Sequence, residues 1–139
     1  VFGKGQKRGS PYSGGLTIFS DNISKKIPLK IFGDGTQSRD FIHINDVVSA
    51  FILCLEDLEN NGVYSKVSGK KFNVCSGNSV TLLEIIESFS LFSNSEIEII
   101  FESPREGDIL HSLGSFEFLN NQIDWEPSEN FIERIRELL

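Results

Sequence analysis

Two arginines in glycine-containing segments are the side chains of this sequence best suited to hold an anion. Arg39 follows a Gly-Asp-Gly turn at residues 33–35, and Arg105 lies in a Pro-Arg-Glu-Gly-Asp segment that ends at Asp108. A guanidinium fork can hold a phosphate through two parallel hydrogen bonds, and a carboxylate can accept hydrogen bonds from ribose hydroxyls. Simpler interpretations stay open: Arg39 could pair with Asp40 or another acid at the surface, and the second segment could be a solvated charged loop.

Glycines before a predicted helix form a second candidate anion site. Gly14 and Gly15 precede an apolar pattern that predicts a helix over residues 15–26, which leaves backbone N–H groups free for an anion. The glycine-containing residues 1–6 and the Ser-Pro-Tyr-Ser at 10–13 come just before them. Composition alone favours a flexible loop with an ordinary helix start, because a lone Gly-x-Gly is a weak signal.

The sequence carries no recognisable catalytic or metal-binding pattern. His43 and His111 are far apart, and no His/Cys cluster has metal-ligand spacing. There is no Gly-x-Ser-x-Gly elbow and no dinucleotide-binding glycine fingerprint, and neither tyrosine is followed by a lysine four residues later. We therefore predict no catalytic residue and no metal site. His43 is expected to be a packed, hydrogen-bonded histidine, and Asp34 a turn residue.

Length and charge favour one small globular domain over residues 1–139. Of the 139 residues, 39% are apolar and 11% aromatic, and the net charge is −7. That charge disfavours a nucleic-acid or anionic-membrane partner, and no apolar run approaches the length that spans a bilayer. Cys54 and Cys75 imply no disulfide framework and are expected to be buried free thiols in a reducing cytoplasm. Because the chain starts at Val1 and lacks Met, we expect an amino-terminally truncated domain.

Short strands mixed with amphipathic helices predict an α/β fold. The predicted strands are residues 29–32, 39–44, 71–75 and 96–101. The first predicted helix covers residues 15–26 and has Lys25 and Lys26 in its last turn. The second is capped by Asn45 or Asp46 and runs to Leu58, and the third starts at a Thr81–Glu84 capping box. Two further helices are predicted to be capped by Ser115 and by Ser128. In the last helix the residues expected to face inward are Phe131, Ile132, Ile135, Leu138 and Leu139.

Motifs in a fixed order resemble the NAD-dependent epimerase/dehydratase family, within the extended short-chain dehydrogenases/reductases. The matching segments are residues 1–6, 10–15, 32–44, 46–48, 72–77, 81–84 and 104–109. The resemblance covers nearly the whole chain and implies the α/β fold of the carboxy-terminal substrate-binding lobe, with the Rossmann domain absent. In this family an amino-terminal domain holds NAD and supplies a Tyr-x-x-x-Lys base, so NAD is expected to bind outside these 139 residues.

The resemblance also implies a binding site for a UDP-sugar or dTDP-sugar. Its seven residues would be Gly14, Gly15, Ile31, Phe32, Arg39, Arg105 and Asp108. The arginines would contact the diphosphate and the aspartate the ribose, while the phenylalanine ring and the isoleucine backbone would lie against the base. The glycines would place the start of the first helix near the diphosphate. Leu110 stands where the family often has an arginine, so the two remaining arginines would carry more of the phosphate binding.

The activity implied for the complete protein is that of a UDP-hexose 4-epimerase acting on glucose and galactose or their N-acetyl forms. Such an enzyme would be a cytoplasmic homodimer. The alternatives are an NDP-sugar 4,6-dehydratase or related enzyme with the same lobe, and a non-catalytic fragment. In either enzyme this chain alone is expected to be inactive, because the catalytic base of the family lies in the other domain.

Overall fold

The computed structural model describes residues 1–6, 14–93 and 96–139, and their arrangement confirms the predicted α/β fold. In chain order the elements are α1 (Gly15–Ser24), β1 (Leu29–Phe32), β2 (Ser38–Asp40), α2 (Ile44–Asn61), β3 (Ser79–Thr81), α3 (Leu82–Phe92), β4 (Ile99–Glu102), α4 (Glu117–Ile123) and α5 (Phe131–Ile135). Two 3₁₀ turns cover Gly62–Tyr64 and Arg136–Leu138. None of the described helices is both long enough and apolar enough to cross a membrane.

Within the described residues, four short strands form two separate pairs. β1 pairs in parallel with β4, and β2 pairs antiparallel with β3. Because side chains alternate along a strand, Leu29 and Ile31 of β1 are fully buried while Lys30 is exposed and Phe32 is half-buried. The buried side of β1 therefore faces the core and its other side, with Phe32, faces outward.

The main core lies between β1, α1, α3 and the carboxy-terminal segment. Its most buried members are Leu29, Ile31, Ile85, Phe89 and Ile135, each with no exposed surface. Thr81 and Glu84 form the predicted capping box at the start of α3, and the hydrogen bonds from Thr81 hold the pKa of the Glu84 carboxyl below its ordinary value. The helix start and the core packing together fix β3 and α3 against β1.

A second core packs under α2. Trp125 and Leu119 are buried against the inward face of that helix around Ala50, and the indole N–H of Trp125 donates to the Ser49 hydroxyl at 2.9 Å. A buried indole needs such a partner for its donor, so this contact orients the ring. Cys54 and Cys75 are free but only half-buried, and this partial burial raises the pKa of both thiols.

Several predicted element boundaries were wrong. β2 ends at Asp40 rather than at residue 44, because the following backbone pairs with Phe2 and forms a parallel bridge at His43. α2 then begins at Ile44, where the side chain of His43, rather than Asn45 or Asp46, accepts a hydrogen bond from a free N–H group. His43 is 3% exposed and also lies 3.3 Å from a Glu137 oxygen, which confirms that it is packed and hydrogen-bonded.

The remaining differences are shifts at helix ends and one absent strand. Residues 71–75 form no ladder, and β4 covers residues 99–102 instead of 96–101. α1 ends at Ser24, one residue before the predicted lysines. Asn130, not Ser128, caps α5, and two of the residues predicted to face inward there, Ile132 and Leu139, are exposed. Ser115 Oγ does accept from the Glu117 N–H at 3.3 Å, although the residue that precedes α4 is Phe116.

α2 also carries apolar side chains on the face that points away from both cores. The residues of this outward face are Ile44, Val48, Phe51, Ile52, Leu55 and Leu58, which are 40% to 70% exposed. Their spacing of three or four residues places them on one continuous stripe of the helix. An apolar stripe of this length on an 18-residue helix is unusual for a surface that stays in water.

Candidate functional site

An open cleft of about 710 Å³ lies at the carboxyl ends of β1 and β4. The residues lining it are Phe32, Gly33, Asp34, Thr36, Gln37, Phe101, Glu102, Pro104, Arg105, Asp108 and Leu110. Three of the seven predicted site residues, Phe32, Arg105 and Asp108, therefore share one cavity although they are far apart in sequence. Arg39 reaches the same cavity through its ion pair with Asp108.

Arg39 is held in place by three acceptors. Its guanidinium donates to the backbone carbonyls of Ser38 and Leu110 at 2.9 and 3.3 Å and to Asp108 Oδ1 at 3.1 Å. The two charged side chains are 31% and 35% exposed, so the pair itself adds about 1 kcal/mol or less to stability. Its partner is Asp108 rather than its neighbour Asp40. The effect of these contacts is to fix the guanidinium at the edge of the cleft.

Arg105 is positioned differently, by the ring of Phe32. The guanidinium carbon lies 3.7 Å from the ring centroid, which is a stacked cation–π contact. In the described part of the chain no carboxylate lies within ion-pair distance of Arg105. The cleft thus contains one arginine that is neutralised and anchored, and a second whose charge is not paired.

The turn before β2 shapes the floor of the cleft. Asp34 accepts from the backbone N–H and the hydroxyl of Thr36, and these bonds hold the pKa of the Asp34 carboxyl below its ordinary value. Gly35 has a φ of +82°, and a Cβ there would lie 2.8 Å from the Leu83 side chain, so only glycine fits. Asp34 is therefore a turn residue, as predicted. The buried side chain of Gln37 donates to the Phe32 carbonyl at 2.7 Å and fixes the end of β1.

The loop that carries Arg105 and Asp108 is tied to β2. The Ser38 N–H donates to the Leu110 carbonyl, and the Ser112 N–H donates to the Ser38 carbonyl. The Ser38 hydroxyl also lies 3.0 Å from His111 Nδ1. Since Ser38 immediately precedes Arg39, these bonds hold the carboxy-terminal end of this loop next to Arg39.

Asp40, next to Arg39, ties two distant segments to the end of β2, and sequence reasoning missed this role. Its carboxylate accepts from the Ser76 N–H and hydroxyl, the Gly77 N–H and the Gly114 N–H, at 2.7 to 3.2 Å. Gln37 and Ser38 were missed as well. The available signal was weak: an acid next to Arg39 suggests an ion pair, and nothing local indicates backbone donors 36 and 74 residues away.

The other predicted site residues lie apart from this cleft or face the core. The Ile31 side chain is fully buried, so only its backbone is near the cleft. Gly14 is the N-cap residue of α1 and Gly15 is the first residue of the helix. Both are exposed, and neither lines the cavity. The Ser-Pro-Tyr-Ser segment at residues 10–13 lies outside the described residues.

An aromatic ring, two arginines and a carboxylate around one open cleft are the elements with which proteins bind a nucleotide. Fold and cleft together define a small α/β lobe that carries these groups at one open edge. Comparison with known proteins assigns the family: the sequence model of the NAD dependent epimerase/dehydratase family matches residues 1–75, more than half of the chain. The chain belongs to this family, which confirms the resemblance of the motifs.

The similar proteins are nucleotide-sugar enzymes. The chain is 28% identical to UDP-glucose 4-epimerase 2 of Arabidopsis thaliana over 88% of its length and 32% of that protein. It is 29% identical to dTDP-4-dehydro-6-deoxyglucose reductase of Escherichia coli over 91% of its length and 37% of that protein. It thus spans about a third of these curated relatives.

Among solved structures, the chain is similar to the UDP-N-acetylglucosamine 4-epimerase of Methanobrevibacter ruminantium in complex with UDP-N-acetylmuramic acid. The TM-score is 0.80 at 34% identity, and the match covers 99% of this chain and 42% of that protein. The family is therefore one of NAD-dependent enzymes that include nucleotide-sugar epimerases and reductases. The predicted fold class, that of the substrate-binding lobe of these enzymes, is confirmed.

Proposed function

We propose that this chain binds the nucleotide half of a UDP-sugar, as the substrate-binding part of an NAD-dependent UDP-hexose 4-epimerase. The observation that carries the proposal is the convergence of Phe32, Arg105, Asp108 and the anchored Arg39 on one cleft. Support for UDP and for epimerisation comes from relatives named as UDP-glucose and UDP-N-acetylglucosamine 4-epimerases.

Each side chain then has a defined task. Arg39 and Arg105 bind the diphosphate, because guanidinium forks match phosphate oxygens. One oxygen of Asp108 pairs with Arg39, and its other oxygen accepts from the ribose hydroxyls. The base lies against Phe32 and the backbone of Ile31. In this proposal the exposed start of α1, at Gly14 and Gly15, faces the diphosphate from the other side.

The NAD chemistry belongs to a part of the enzyme outside these residues. NAD, when bound there, would supply reversible hydride transfer. The turn after β1 leads into another strand instead of a helix, so it does not build the strand–turn–helix crevice that holds a dinucleotide. We propose that the cleft holds the nucleotide firmly while the sugar turns over, in a cytoplasmic homodimer, and that the 139 residues alone catalyse no turnover.

The second candidate is a reductase or dehydratase that acts on another nucleotide-sugar. The similarity to dTDP-4-dehydro-6-deoxyglucose reductase favours this reaction class, and the similarity to CDP-paratose 2-epimerase of Salmonella typhi favours only the different nucleotide. The lobe would bind the nucleotide in either enzyme, and only the nucleobase that it binds would differ.

Calorimetric titration of the 139-residue chain with UDP-glucose, UDP-N-acetylglucosamine and dTDP-glucose tests the proposal. We expect saturable 1:1 binding of the UDP-sugars, weaker binding of the dTDP-sugar and no heat from NAD. Preference for the dTDP-sugar would favour the second candidate. No binding of any nucleotide-sugar by a chain that is folded by circular dichroism would reject both.

We also propose that the chain is a single domain whose α2 outward face packs on the NAD-binding part of the enzyme. The parallel bridge between Phe2 and His43 supports this, because it places the start of α2 at the carboxyl end of two parallel segments. A helix that follows a parallel strand normally packs back on the sheet. The α2 outward face would then cover a sheet of the NAD-binding part, and the parallel segments at Phe2 and His43 would extend that sheet.

Replacing Phe51 and Leu55 of the outward face with glutamate should lower self-association of the 139-residue chain and leave its urea midpoint unchanged. The two side chains are 70% and 55% exposed and so stabilise this fold little. Ala50→Glu, on the same helix but 1% exposed, is the control that should lower the midpoint strongly. Sedimentation velocity and urea unfolding measure both effects. A large loss of stability in the Phe51/Leu55 variant would mean that this face packs within the chain.

A further inference from the structure

We propose that Arg105 and Phe32 form a latch that couples recognition of the base to recognition of the diphosphate. In the free protein the guanidinium covers the ring face, and a phosphate must draw it away before a base can stack there. The inference rests on the proposed function, since it concerns how a nucleoside diphosphate enters this cleft. Its outcome is a preference for ligands that carry both a base and a phosphate chain.

The first support is that two groups compete for one surface. The Arg105 guanidinium lies 3.7 Å from the centroid of the Phe32 ring, which is stacking distance, so no base can occupy that face at the same time. Phe32 is half-buried at the end of β1, and the Gln37 side chain holds its carbonyl. The backbone at Phe32 is therefore fixed and its ring is half-buried, whereas Arg105 is exposed, so the guanidinium is the partner that must move.

The second support is the difference between the two arginines. Arg39 donates to three oxygens and stays in place, whereas Arg105 is exposed and has no carboxylate partner among the described residues. Its loop has glycine at position 107 with a φ of +76°, and a Cβ there would meet nothing within 4 Å. The movement of Arg105 to a phosphate thus breaks no ion pair.

The strengths of the two contacts favour movement of the Arg105 guanidinium from the Phe32 ring to a phosphate. An exposed cation–π contact shifts an equilibrium by about two- to fivefold, while charge-assisted hydrogen bonds from a guanidinium to a phosphate are stronger. A diphosphate therefore opens the latch. A nucleoside without phosphate must displace the guanidinium with no replacement partner, so its affinity is lowered by the same two- to fivefold.

Substitution of Phe32 gives a result that a simple base-stacking role does not predict. Phe32→Leu removes the ring that holds Arg105, so binding of pyrophosphate should become about two- to fivefold tighter. Binding of UDP-glucose should become weaker, because the base loses its stacking partner. Phe101→Leu is the matched control: Phe101 lines the same cleft and is 56% exposed, but it does not stack with Arg105, so pyrophosphate affinity should not change.

Calorimetry of the wild-type chain and both variants with pyrophosphate, uridine and UDP-glucose measures these effects. In parallel, NMR of labelled arginine should show ring-shifted Arg105 side-chain signals that move to unshifted positions with pyrophosphate and in Phe32→Leu. The latch would be overturned if Phe32→Leu bound pyrophosphate with unchanged or weaker affinity. It would also be overturned if the Arg105 signals did not shift when UDP-glucose binds. Either result would leave the proposed function intact. Wild-type protein that binds neither UDP-glucose nor pyrophosphate would reject both.

Discussion

Replacing Arg39 with alanine should weaken UDP-glucose binding by about 3 kcal/mol, and replacing Arg105 should cost about 2 kcal/mol. Arg39 has the larger effect for two reasons. Its guanidinium is already fixed by the Ser38 and Leu110 carbonyls, so it loses little freedom when phosphate binds. Its removal also leaves the Asp108 carboxylate without its partner, next to an incoming dianion. Arg105 has to leave the Phe32 ring first, which reduces its net contribution.

A second substitution separates the two parts of the Arg39 effect. If repulsion from Asp108 contributes, adding Asp108→Asn to Arg39→Ala should recover part of the lost affinity, although Asp108→Asn alone should weaken binding. Arg136→Ala serves as the control, because Arg136 is exposed and does not line the cleft. Isothermal titration with UDP-glucose measures all five variants. Unchanged affinity in both Arg39→Ala and Arg105→Ala would reject the assignment of the cleft.

Arg39, Arg105 and Asp108 could be singled out as candidates from sequence because each lies in a local pattern with its own chemistry. A glycine turn before Arg39 and a glycine loop around Arg105 and Asp108 are visible without a fold. The order of the motifs then placed them in one family. The contacts among them could not be predicted. The pairing of Arg39 with Asp108 joins residues 69 apart, and the stacking of Arg105 on Phe32 depends on how the loop after β4 returns over β1.

The wrong strand at residues 71–75 has a physical explanation. Its alternation of polar and apolar residues is real, because Phe72 and Val74 pack on the second core. Alternation reports which side chains are buried, however, and a ladder also needs a neighbouring strand with free backbone groups. In the described part of the chain no strand pairs with residues 71–75. Just beyond them, the backbone N–H groups of Ser76 and Gly77 donate to the side chain of Asp40.

The apolar pattern that runs to Leu58 correctly predicted a helix. It did not predict that α2 has two apolar sides. The small Ala50 packs inward with Trp125, while the more hydrophobic Phe51 and Leu55 point outward. A periodic apolar stripe identifies a face that is suited to burial. It does not say whether the partner of that face lies within the same 139 residues.

Replacing Asp40 with alanine should destabilise the chain by about 3 kcal/mol. The carboxylate is the common acceptor for three backbone N–H groups and one hydroxyl, on segments that are 36 to 74 residues away in sequence. Each donor that is left half-buried without an acceptor costs on the order of 1 kcal/mol or more. Close contacts around Gly114, where a Cβ would lie 2.6 Å from Cys75 Sγ, leave little room for the segments to shift toward other acceptors.

Asp34→Ala is the matched control for this substitution. Asp34 is also an aspartate that accepts from a backbone N–H and a hydroxyl, but its turn is exposed and water can replace the carboxylate. Urea unfolding should therefore show a much lower midpoint for Asp40→Ala, with an unchanged slope, and a midpoint near wild type for Asp34→Ala. Asp40→Asn should fall between them, since its amide keeps one acceptor oxygen but presents an NH₂ group to the remaining donors. Equal midpoints for the two alanine variants would show that the Asp40 bonds do not hold these segments together.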